Sequence, residues 1–123
     1  MDRILLVAVG GAAGAVARHL VGAGLKSAWP AYTGAGTLLV NVIGSFAIGF
    51  LLGTAAEMRT LSDSARLLLV TGFLGGLTTF SSLAHETADL TSRESGLTAG
   101  LAHLSANVVC GLAAVWIGVW LRR

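Results

Sequence analysis

Three stretches of this chain contain no aspartate, glutamate, lysine or arginine: residues 31–56, 67–84 and 97–121, which run for 26, 18 and 25 residues. A fourth apolar region begins with the charge-free residues 4–17 and resumes after Arg18 and His19 as far as Leu25. A bilayer-spanning helix needs about 20 mostly apolar residues. Four spans, near residues 4–25, 33–56, 66–86 and 97–121, therefore fill the chain. Composition agrees, with 54% of the 123 residues hydrophobic and only 11% charged. That is too little charge to cover a soluble domain. The expected fold class is an all-α membrane protein, one domain of four transmembrane helices over residues 1–123.

Met1–Arg18 imitates a secretory signal, with Arg3, an apolar run and Ala15-Val16-Ala17 as a cleavage-like site. Such a peptide releases a soluble product, whereas three more spans follow here. The sole cysteine, Cys110, lies inside a span, which excludes a disulfide framework and a thiolate metal cluster; it reads as a small packing residue. Between the spans, Pro30 sits beside Trp29 and Tyr32 as interface anchors. Residues 57–66 hold Glu57, Arg59, Asp63 and Arg66, with Ser62 placed to cap the helix that follows. Residues 86–96 form the third loop. Four spans put both termini on one side with Arg3, Arg59, Arg66, Arg122 and Arg123, against Lys26 and Arg93 opposite and Arg18 near a span end. Five cations against three is a mild bias toward cytoplasmic termini and a weakly fixed orientation.

Among seventeen glycines, Gly10/Gly14, Gly49/Gly53, Gly72/Gly76 and Gly96/Gly100 are four-residue pairs, the spacing that lets membrane helices approach closely. The segment "GGAAG" at 10–14 lacks the spacing of a dinucleotide loop and has no soluble strand before it.

Polar residues inside a span are costly unless paired. Thr37, Asn41 and Ser45 stand at i, i+4 and i+8, and His103 and Asn107 at i and i+4, so each set shares a helix face. Either they hold the bundle together or they line a polar pathway. Stripes on two different spans favour a pathway. No embedded acid accompanies them, since Glu57, Glu86, Asp89 and Glu94 read as span-end or loop residues. Neutral donors without carboxylates suit an anion better than a cation or proton.

The segment "GFLGGLTTFSSL" at 72–83 is poor material for a continuous helix. A break at Gly75-Gly76 frees carbonyls and amides that must find partners inside the protein. Freed carbonyls suit a small hard cation. Freed amides and the hydroxyls of Thr78, Thr79, Ser81 and Ser82 suit an anion, as does the electropositive ring edge of Phe80.

Four motifs, "GGAAGAVAR" at 10–18, "GTLLVNVIGSFAIG" at 36–49, "GFLGGLTTFSS" at 72–82 and "GLAAVWIG" at 111–118, resemble the signatures of the Fluc (CrcB) fluoride channels. The resemblance covers all four spans. It implies a fluoride-selective passive channel in the plasma (inner) membrane of a prokaryote, built as an antiparallel dual-topology dimer with two pores along the subunit interface. It implies a broken third helix whose backbone carbonyls, Gly75 and Thr78 by position, grip a structural sodium ion that is not transported. It also places Asn41 and Thr37 in the fluoride pathway with the Phe80 ring and the Ser81 hydroxyl, and Arg18 at the vestibule. No nucleotide or nucleic acid is implied.

The family usually reads T-T-F-S-T-F, and this chain carries Leu83 where the second phenylalanine stands. His103 and Asn107 replace the usual tyrosine and serine of span four, and both still donate hydrogen bonds. These departures leave two arrangements open: a homodimer with half the usual rings, or one subunit of a heterodimer with a homologous partner and a degenerate pore. Undissociated hydrogen fluoride crosses lipid and ionises in a more neutral cytoplasm. An inside-negative potential contributes about 2.3 kcal/mol per charge per 100 mV to expulsion of the anion, so a passive pore suffices. A small proton-coupled multidrug exporter has four spans of this length but needs an acid in span one, and residues 4–25 contain none. A purely structural subunit does not account for the broken span. An enzyme needs a nucleophile or metal constellation, and His85-Glu86 lacks the second histidine of H-E-x-x-H.

Overall fold

The computed structural model describes residues 2–53, 61–94 and 96–122, and every regular element among them is helical. The expected end of span two at residue 56, the loop charges Glu57 and Arg59, and Arg123 lie outside the described residues. Helix α1 (Arg3–Ala28) opens on Asp2, whose carboxylate accepts from the Ile4 N–H at 3.1 Å. It stops ahead of Trp29-Pro30, where proline has no N–H to continue the ladder. Helix α2 (Ala35–Leu52) is bounded by Gly34 and Gly53 at φ 91° and 59°, a region that only glycine enters without steric cost.

The third span, Asp63–Ser92, is composite. It comprises α3 (Asp63–Ala65), a π-helical segment Arg66–Leu74, α4 (Gly75–Leu77) and, after two extended residues, α5 (Phe80–Ser92). Ser62 caps it as the sequence predicts, its Oγ accepting from the Ala65 N–H at 3.2 Å. Helix α6 (Gly96–Arg122) closes the bundle. The four spans are long and apolar enough to cross a membrane. At 1.5 Å per residue, α1 reaches about 39 Å, beyond the ~30 Å hydrocarbon core. Large apolar side chains face outward, among them Ile4, Leu20, Trp116 and Trp120. In water that arrangement would be costly, but lipid is as apolar as the side chains themselves.

Close backbone contact replaces the hydrophobic drive that lipid removes. Helix α1 lies along the π-helical segment and α4, α2 along α6, and α5 against α6. A Cβ on Gly10 or Gly14 would collide with the backbone of Leu68, Phe73 or Leu77, and one on Gly76 with Gly11. Gly49 and Gly118 do the same for the α2–α6 crossing, against Val115 and against Phe46 and Phe50. Gly96 takes no part in such a crossing among the described residues, and the positive φ of Gly53 and Gly96 marks helix ends. Val40, Leu74 and Leu77 form the buried apolar cluster between α2 and the third span.

Three expectations from sequence are corrected. The third span does not break at Gly75-Gly76. Gly75 is helical at φ −63° and ψ −35°, and the chain leaves the helix at Thr78 and Thr79. Gly76 is required for the contact with Gly11 while helical, whereas the threonines have alternative partners for their backbone. Residues 86–92 are helix rather than loop, because the Thr87 and Thr91 hydroxyls bond back to the Leu83 and Thr87 carbonyls at 2.7 and 2.8 Å, and Asp89 pairs with Arg93 one turn on. Cys110 does not pack inside. The buried face of α6 follows His103, Asn107, Gly111, Ala114 and Gly118, and Cys110 falls beside that stripe, exposed on an apolar groove with Trp29 and Leu38.

Candidate ion pathway beside the broken helix

Thr78 (φ −80°, ψ 153°) and Thr79 (φ −152°, ψ 120°) are extended in the middle of the span. The Thr78 N–H and Oγ1 both still donate to the Leu74 carbonyl at 3.0 Å. The Thr79 N–H would make the next rung to Gly75. It donates instead to Asn41 Oδ1 at 2.9 Å, and Asn41 Nδ2 donates to the Thr79 carbonyl at 3.2 Å. One carboxamide thus supplies both partners that Thr79 loses from the interrupted ladder, as backbone at membrane depth requires. The helix restarts immediately because Thr79 caps it: its Oγ1 accepts from the Ser82 N–H at 3.1 Å. The hydroxyls of Ser81 and Ser82 lie 3.2 Å from the same oxygen. The N-terminus of α5, with its positive dipole end and unsatisfied amides, therefore opens mid-span.

From Asn41 a polar column continues to α6. Asn41 Nδ2 also donates to Asn107 Oδ1 at 3.0 Å, and Asn107 Nδ2 donates back to the His103 carbonyl at 3.1 Å. One turn up α2, the Thr37 Oγ1 donates to Glu86 Oε1 at 2.8 Å. The His103 ring, 2% exposed, packs against Gly34, and its Nε2 comes within 3.2 Å of Glu86 Oε2. That approach is close enough for an ion pair but is not aligned as a hydrogen bond: both ring nitrogens and Oε2 have no hydrogen-bond partner among the described residues. The two groups are therefore close without being hydrogen-bonded.

Two recesses flank the column. The larger, about 450 Å³, is bordered by Arg18, His19, Lys26, Thr37, Ser82, Glu86 and Arg93, three permanent cations to one carboxylate. The smaller, about 250 Å³, is bordered by Asn41, Ser45, Thr79, Phe80, Leu83 and Asn107. The stripe Thr37–Asn41–Ser45 joins one to the other along α2. The structure thus brings Thr37, Asn41, His103 and Asn107 into a single network, sets Phe80 and Leu83 in the wall of the small recess, and puts Arg18 at the large one. Ser81 touches the network only through the Thr79 hydroxyl. Gly75 is exposed and Thr78 half-buried in the single chain. Phe80, 78% exposed, projects its ring off the subunit, while Leu83 is buried.

Glu86 is the member that sequence reasoning missed as a site residue. Its spacing carried the signal: Ser82 and Glu86 are four apart, so once residues 80–92 are helical both fall on the face that meets Thr37.

The chain matches the family model described as CrcB-like protein, Camphor Resistance (CrcB), over residues 5–119. It is similar to a protein named fluoride-specific ion channel FluC from Roseiflexus sp. (strain RS-1), 49% identical over 120 residues that cover 98% of this chain and 96% of the relative. A protein of the same name from Solibacter usitatus (strain Ellin6076) is 45% identical over 121 residues, 98% of both chains. Another from Chelativorans sp. (strain BNC1) is 42% identical over 127 residues, 100% of this chain and 98% of that one. With the match running through all four spans and the broken helix, the chain is a multi-pass membrane protein belonging to the CrcB-like family.

Proposed function

We propose that this chain is a fluoride-selective passive channel that lets the anion leave a prokaryotic cell across its plasma membrane. The observation that carries the reading is the interruption at Thr78-Thr79, pinned by Asn41. It opens a capped helix N-terminus, hydroxyls and a phenyl ring beside a cation-rich recess. A strongly hydrated anion exchanges its water for oriented donors in such a place, and no chemical step is needed. The relatives named as fluoride-specific channels support the ion's identity.

The working unit is two copies of the chain in opposite orientations. Phe80 stands almost free of its own subunit in the midst of an apolar span, and a partner facing it would complete a recess that one chain only half encloses. Leu83, in the position of a second family phenylalanine, is packed into the wall at 5% exposure. That supports a pore made by two copies of this chain. A structural sodium ion fits the same centre. Thr79 has turned its N–H away from the Gly75 carbonyl, and the Thr78 carbonyl lies in an extended segment outside any helical ladder. Hard oxygen donors of this kind suit a small hard cation, and neutral carbonyls without a carboxylate leave its charge uncompensated, which favours a single charge. The two from one chain become four when doubled, and bound there the ion would lend its charge to holding the crossing together.

The test is reconstitution of purified protein into liposomes loaded with fluoride, read by a fluoride electrode. Potassium-driven efflux abolished by omitting the protein is the expected result. No efflux from this chain alone, with recovery on adding a homologous subunit, would transfer the proposal to a heterodimer. No efflux under either condition would sink it.

A further inference from the structure

The outward face of α5 differs from the outward faces of the other spans. Helix α1 turns Val9, Val16 and Leu20 away from the bundle, and α6 turns Leu101, Val109 and Trp116, side chains as apolar as lipid. Between residues 70 and 96, Phe80 is the only large apolar side chain exposed among the described residues. Its companions on the open side of α5 are Ser81, Ala84, His85 and Ala88. The His85 ring makes no hydrogen bond or ion pair among the described residues. It stands about 8 Å along the helix from Phe80, and the helix restarts mid-span. That depth is well within the ~15 Å half-thickness of the hydrocarbon. An imidazole there faces water or protein rather than lipid. Ser81 and His85, four apart, share one helix face, and that face continues the wall that Phe80 begins.

We propose that His85 extends the anion pathway of the two-chain pore one turn beyond Ser81, its ring N–H donating to the ion. The proposal rests on the fluoride-channel reading above and names a further residue of the same route. The donors nearest the break are largely spent. Asn41 commits its N–H bonds to Thr79 and Asn107, and Thr37 commits its hydroxyl to Glu86. An anion that leaves its water behind needs donors still free to turn toward it. Imidazole presents an N–H in either protonation state and brings no negative charge. Ala84 and Ala88, beside it on the same open side, leave space that a leucine would close. A second copy laid against this face would enclose the strip as a polar seam, which the single chain leaves open.

The experiment asks whether water and fluoride reach position 85 in protein reconstituted into liposomes. In a Cys110→Ser parent, His85→Cys is treated with a charged, water-soluble methanethiosulfonate. Labelling is read by mass and fluoride efflux by electrode. The matched control is Val16→Cys, an outward position in the middle of α1. His85→Cys should label about tenfold faster or more, because a thiol in hydrocarbon meets neither the reagent nor the water that ionises it. Labelling should then cut efflux by about tenfold. Without any label, His85→Leu should lower efflux about tenfold, the factor carried by one hydrogen bond to a charged group, and His85→Gln should retain more. Labelling as slow as at Val16 puts position 85 against lipid or a packed partner and overturns the proposal, while efflux from the parent leaves the channel reading standing. Labelling that leaves efflux unchanged makes the position wet but off the route, and overturns it as well. Equal efflux from His85→Leu and His85→Gln has the same force, should the cysteine variant fail to assemble. No efflux from the unmodified protein, alone or with a homologous subunit, overturns the channel reading and the proposal with it.

Discussion

Asn41 holds Thr79 by both of its backbone polar groups, accepting the N–H at 2.9 Å and donating to the carbonyl at 3.2 Å. The side chain plays the part of a neighbouring strand for a single residue. It also donates to Asn107, so its two N–H bonds and one carbonyl lone pair are all in use. Asn41→Asp keeps the acceptor but sets a second oxygen against the Thr79 carbonyl and Asn107 Oδ1, and adds a negative charge to the small recess. At about 5 Å and an effective dielectric near 20, that charge opposes a passing anion by roughly 3 kcal/mol. Fluoride efflux should fall by about 100-fold or more, while gel filtration still shows assembled protein. Unaltered efflux would remove Asn41 from the path.

Thr79 is expected to be more than a link in the chain of hydrogen bonds, because its hydroxyl starts α5 by accepting from the Ser82 N–H. Thr79→Ala removes the cap and should cost about 1 kcal/mol of stability, read as a lower thermal aggregation temperature in detergent. Thr79→Ser keeps the oxygen and should recover most of the loss. Equal damage from both changes would mean that the methyl group, and not the cap, matters at this buried site.

How far the site was readable follows from which groups make local patterns. Uncharged runs gave the spans, because lipid forces every segment to satisfy its own backbone. The i, i+4 spacing gave the polar faces of α2 and α6, because side chains four apart share a face. The break falls three residues beyond the glycine pair that suggests it, since glycine serves equally to interrupt a helix and to admit a neighbour, and only the presence of Gly11 against Gly76 tells the two apart. Glu86 reads from sequence as a span-end or loop residue because the charge-free run stops there. Its true position depends on Thr37 and His103, residues 49 and 17 positions away, and no local pattern reports that.

The glycines of α1 offer a direct contrast. A Cβ on Gly14 would meet the Phe73 carbonyl and the Leu77 N–H, both backbone atoms that cannot rotate aside, whereas one on Gly24 meets nothing within 4 Å. Gly14→Ala should separate α1 from the third span and lower stability by about 1–3 kcal/mol, with less folded protein recovered from membranes. Gly24→Ala should be neutral or slightly stabilising, by up to about 1 kcal/mol, through restricted backbone freedom in a helix. Comparable losses for both would show that lipid or a partner chain already presses on Gly24.

Phe80 separates the stability of one chain from the function of the proposed pair. Its ring is 78% exposed, so the subunit gains little from packing it. Truncating a buried phenylalanine costs about 3–5 kcal/mol, but Phe80→Leu should change the unfolding of the single chain by only a few tenths of that. The proposed two-chain pore has more at stake, because leucine keeps the bulk while discarding the electropositive ring edge that can face an anion. Fluoride efflux should drop at least tenfold, with expression and thermal stability preserved. Phe80→Tyr keeps the ring and should retain more efflux than leucine does. If leucine conducts as well as phenylalanine, the ring is packing against a neighbouring subunit, and solvation of the anion rests on the hydroxyls and amides at the start of α5.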